Sequence, residues 1–73
     1  MILFEEKMLD ANKIFFAEII DNFNSKKVYY NSTLMIEFLP ETKREREWFT
    51  YKTHEEAISK LSQLVTLVNL QRK

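Results

Sequence analysis

The side chains with enough chemistry to act on a substrate or hold a metal are few and poorly spaced. His54 is the sole histidine and cysteine is absent, so neither a paired-histidine zinc motif nor a thiolate site can be assembled from one chain. His54 reads instead as a residue in the first turn of a helix. Ser25, Ser32, Ser59 and Ser62 have no nucleophile-elbow pattern around them. Two adjacent acid pairs, Glu5 with Glu6 and Glu55 with Glu56, fall on neighbouring helical positions, which point about 100° apart and do not share a site. The lack of glycine removes phosphate-cradling loops. The expectation is a non-enzymatic protein with no catalytic residues, no metal and no cofactor.

What remains is recognition chemistry, concentrated in "PETKREREWFTYKTHEEA" (residues 40–57). If residues 44–52 form a strand, alternation puts Glu45, Glu47, Phe49 and Tyr51 on one face and Arg44, Arg46, Trp48, Thr50 and Lys52 on the other. A comb of alternating charges then becomes a sided surface. Tryptophan and arginine dominate interface hot spots, and Arg44, Arg46, Trp48 and Lys52, with Tyr29 across the sheet, are the expected partner-binding residues. Cations beside aromatics also suit nucleic acid, but Glu37 shares that face and Glu41 lies near the tip.

Such a face needs elements to hold it. "THEEAISKLSQLVTLVNLQRK" is the clearest of them: Thr53 suits the cap of a helix over 54–70, and Glu55 and Glu56 suit its positive end. Residues 27–39, "KVYYNSTLMIEFL", read as a strand with Val28, Tyr30, Ser32, Leu34, Ile36 and Phe38 towards the core and Tyr29, Asn31, Thr33, Met35 and Glu37 away from it. A turn at "NS" would split this strand and make the sheet three-stranded. "NST" also matches a glycosylation sequon, read here as strand or turn polarity. Pro40 closes the strand. Upstream, Met8, Ala11, Phe15 and Ile19, widened by Phe16, Ile20 and Phe23, follow three-and-four spacing and predict an amphipathic helix over 5–23. Asp10 or Asn12 could cap a later start, leaving "MILFEE" extended. With no glycine available, asparagine is expected to take the left-handed positions, as in "NFNSKK".

These elements give one small α+β domain: helix, antiparallel hairpin, helix, with both helices on one face of the sheet. A 73-residue chain buries only about 60 % of its extended surface. Leu64, Leu67 and Leu70 exceed what a small sheet can cover, so they are expected to form a homodimer interface. Residues 1–24 carry two basic and five acidic groups (2 − 5 = −3) and residues 57–73 carry +3 within a chain of net charge zero. This asymmetry predicts that the two ends meet within or between subunits. "MILFEEKML" has too short an apolar run for a signal peptide or membrane span, so a cytoplasmic protein with no membrane role is expected.

The passage from a charged limb into "YKTHEEAISKL" resembles the strand-to-helix junction of small regulatory domains, including the arm-binding sheet domains of phage integrases. The likeness covers about a quarter of the chain and consists mainly of the capping pattern. The sequence thus reads as a protein-interaction module, a regulator or inhibitor of phage or mobile-element type that works by binding a macromolecular partner of unstated identity. Nucleic-acid binding by the same face is the alternative.

Overall fold

The computed structural model describes residues 1–40 and 46–72. A short hairpin of β1 (Ile2–Phe4) and β2 (Lys7–Leu9) leads through a 3-10 turn, Ala11–Lys13, into β3 (Ile14–Phe23). Next come β4 (Tyr29–Phe38), β5 (Arg46–Tyr51) and a single helix, α1 (His54–Gln71). β3, β4 and β5 form an antiparallel three-stranded sheet with β4 central. The class is α+β as expected, but the described residues contain one α-helix.

The predicted helix over 5–23 is corrected to β1, β2, the 3-10 turn and β3. In "IFFAEIIDNF" the pairing register sets Phe16, Glu18, Ile20 and Asn22 on one face and Ala17, Ile19 and Asp21 on the other. That period of two, with β-branched and aromatic content, fits a strand. The helical spacing arose from positions that do not belong to one element: Met8 lies in β2, Ala11 in the 3-10 turn, and Phe15 at a register shift between Ile14 and Phe16. Asp10 does cap, but it caps the 3-10 turn, its carboxylate accepting from the Asn12 amide. The third strand therefore comes from residues 14–23, and residues 29–38 remain one unbroken strand.

The left-handed backbone positions also differ from expectation. Glu5 (φ 50°), Glu6 (φ 65°) and Lys27 (φ 62°) occupy them. Glu5 and Glu6 form the two-residue turn of the β1–β2 hairpin, whose primed geometry requires positive φ. Asparagine contributes through its side chain instead: Asn24 Oδ1 accepts from the amides of Lys26 and Val28 and closes the β3–β4 turn.

α1 and the β1–β2 hairpin cover the same face of the sheet. There Phe4, Leu9, Leu34, Ile36 and Leu64 form the core with Ile2, Phe38 and Tyr51, and Phe4 meets Phe49 edge to face. Ser32, Leu34, Ile36 and Phe38 point inward as the alternation predicts, whereas Val28 and Tyr30 are exposed. α1 starts where expected: Thr53 Oγ1 accepts from the Glu56 amide at 3.1 Å. The opposed end charges meet within the chain, Lys60 pairing with Glu5 at 3.0 Å, while Arg72 donates to the carbonyls of Ala11 and Ile14. No helix among the described residues is long and apolar enough to cross a membrane.

Candidate interaction surface

The sheet has two faces and the described elements pack on only one of them. The outer face carries Phe16, Glu18, Ile20 and Asn22 from β3, Asn31, Thr33, Met35 and Glu37 from β4, and Arg46, Trp48 and Thr50 from β5. Met35 sits at its centre, with Glu18 and Trp48 as its cross-strand neighbours, and is 5 % exposed. Trp48 is 54 % exposed, and Phe16 and Ile20 are exposed as well. One end is polar, Asn22 Nδ2 donating to Asn31 Oδ1 and Thr33 Oγ1 across the strands. Arg46 Nε donates to Glu37 at 3.1 Å, so its charge is already answered on the face. Among the described residues that face sums to one cation against Glu18 and Glu37 (1 − 2 = −1).

The expected partner-binding residues are not all brought together. Arg46 and Trp48 share the outer face as alternation requires, and Lys52 is exposed just beyond the end of β5. Arg44 lies outside the described residues. Tyr29 sits on the other face. The register shift at the β3–β4 end pairs Phe23 with Tyr29 and leaves Tyr30 extra, which reverses the parity and lets the Tyr29 hydroxyl reach buried Ser32. Phe16, Ile20 and Glu18 join the face unforeseen. The signal for them was the alternation in "IFFAEIIDN", which a helical reading conceals.

On the expected dimer surface, Leu64 is 2 % exposed and belongs to the core. It is therefore unavailable to a second copy. Leu67 is half-buried against the core and Leu70 is exposed.

A polar chain links three elements at the other end of the core face. The Tyr29 hydroxyl donates to Ser32 Oγ, Ser32 donates to Asp21 Oδ1 at 2.6 Å, and His54 Nδ1 donates to the same oxygen at 2.7 Å. The Ser32 hydrogen bond first, then that of His54, hold the Asp21 carboxyl below its ordinary 3.8. The order is serine, aspartate, histidine, so Asp21 stands between the Ser32 hydroxyl and the imidazole Nδ1, unlike the serine–histidine–aspartate order of a nucleophilic triad. The chain works as a clasp between α1 and β3. Nearby, the Tyr51 hydroxyl is buried. Burial, then the charge of Glu5, push its pKa upward. No group of three metal-ligating residues occurs among the described residues.

Comparison with protein-family models, curated proteins and solved structures finds no match to the chain.

Proposed function

We propose that the protein is a small non-enzymatic interaction module, a regulator or inhibitor that works by occupying the surface of a protein partner with the outer face of its sheet. One observation carries this reading: Trp48, Phe16 and Ile20 stand exposed around Met35 on a face that no described element covers. Contiguous exposed apolar groups of this kind mark association sites, and aromatics, methionine and arginine are the types enriched there. Arg46, Trp48 and exposed Lys52 are the contact residues retained from the sequence, with Phe16, Ile20 and Met35 added. Nucleic acid is the less favoured partner for a physical reason. The described part of the face carries more acid than base, and its arginine is neutralised by Glu37, whereas polyanion binding depends on unanswered cations.

Quantitative affinity capture from source-cell extract tests the reading. Trp48→Ala should weaken retention of the captured protein by about thirtyfold, the hot-spot scale of roughly 2 kcal/mol. Its circular dichroism and melting should stay close to those of the parent, since half-exposed Trp48 lies outside the core. Unchanged retention, or a variant that unfolds, counts against the proposal.

A further inference from the structure

A second unanswered surface lies at the edge of the sheet. β3 is an edge strand of ten residues in which no proline or lysine interrupts Ile14 to Phe23. Natural proteins usually blunt such an edge with short length, lysine, proline or a bulge. Here the register shifts blunt its two ends, at Phe15 and at Phe23, and Arg72 covers the carbonyl of Ile14, which leaves Phe16 to Asn22 as a regular run with Glu18 and Asp21 as its charges. The opposite edge is defended: β5 has six residues, opens on Arg46 and Glu47, and holds Glu47 in an ion pair with Lys7. Beside β3 runs a groove of about 370 Å³ between its first residues and α1, walled by Ala17, Leu61, Val65 and Val68. Phe15, 65 % exposed, and Val65, 49 % exposed, stand at its rim.

We propose that a second copy of this chain pairs antiparallel with β3 about a two-fold axis, joining two three-stranded sheets into one of six strands. Two identical edges meeting this way close the assembly, whereas β3 pairing with β5 would leave an open edge on each copy and grow a filament. For a continuous sheet the two-fold must place residues of the same face opposite each other. Pairing centred on Ile19 meets that condition: it sets Glu18 against Ile20 of the second copy and Ala17 against Asp21, so no like charges face one another. The flanks of the two helices then approach across the axis and fill the groove with apolar side chains.

Area supports a second copy as the occupant. With Phe16 and Ile20 left to the outer face, the exposed parts of Phe15, Ile58 and Val65 amount to about 300 Å² of apolar surface. Interfaces are a little over half apolar, so this corresponds to roughly 500 Å² per subunit, or about 1,000 Å² in total, the lower end of the range for a specific interface. The single chain also exposes 5330 Å², against about 4,800 Å² for a typical monomer of its 8.9 kDa mass. Trp48 lies two strands away on β5, so pairing through β3 leaves it free for the partner proposed above.

Sedimentation velocity of the full chain from about 1 to about 100 µM, with amide exchange followed in parallel, tests this. The parent should sediment as a dimer. Phe15→Asp and Val65→Asp, both at exposed positions on different elements, should each raise the dissociation constant at least tenfold with helix content unchanged. Trp48→Ala should remain dimeric. Amide exchange in β3 should slow as concentration rises while exchange in β5 does not, a readout that needs no variant. A parent that is monomeric throughout, dimers insensitive to both substitutions, or concentration-independent exchange in β3 would overturn the proposal.

Discussion

Asp21 lies on β3 with hydrogen bonds from residues 11 and 33 positions away in the chain, and it converts local charge into cohesion between helix and sheet. Its carboxyl titrates below 3.8 in the folded chain because Ser32 and His54 both donate to it. A carboxyl depressed by folding contributes stability that is fully present above its unfolded value and is lost as pH falls through its folded value. Asp21→Asn should therefore destabilise the protein at neutral pH. The gap between parent and variant should narrow as pH drops through and below about 4. Urea midpoints measured across that range check the prediction, and a pH-independent gap would show that the clasp works through shape alone. Exposure of the pair keeps the effect modest.

Elements differ in how legible they were, and the difference has physical causes. α1 is legible almost to the residue, since capping and dipole preferences act within one turn of the chain. β4 and β5 followed from alternation beside Pro40, and the sidedness of Arg46 and Trp48 came with them. β3 was hidden because Phe15, Phe16, Ile19 and Ile20 satisfy both periods, and only pairing with β4 decides between them. Alternation puts Tyr29 on the wrong face for a related reason: one extra residue at Tyr30 inverts every side chain beyond it, and no local residue type announces the shift. The β1–β2 turn was unreadable since its left-handed residues are glutamates, each costing roughly 1–2 kcal/mol in that conformation. Glu6→Gly should relieve part of this, raising stability by about 1 kcal/mol and the melting temperature by about 4–8 °C. Glu5 is left in place because it pairs with Lys60. A lower melting temperature for Glu6→Gly would mean that its side chain supports the hairpin in a way the backbone argument omits.

Across the whole molecule, the balance of eleven basic and eleven acidic residues conceals a division of labour. Among the described residues, charges at the two ends are spent internally in three places: Lys60 on Glu5, Arg72 on backbone carbonyls, Lys7 on Glu47. Arg46 is spent on Glu37, so the bare sheet face offers apolar and aromatic area with little net field. Association through that face should release few counterions, and its affinity should change little with salt. A polyanion bound through Z phosphate contacts would instead lose affinity with a slope of about −0.9Z in log K against log salt for duplex DNA. Titrations of the captured partner between about 50 and 200 mM salt separate these cases, since even three such contacts predict a slope near −3, roughly a fortyfold loss. A nearly flat response, together with a negative heat-capacity change from apolar burial, is expected for the face built around Met35 and Trp48. A steep slope would transfer the function to nucleic acid and to cations beyond the described part of the face. The same titration on Trp48→Ala assigns whichever response is found to this surface, because loss of that side chain should lower affinity at every salt concentration without altering the slope.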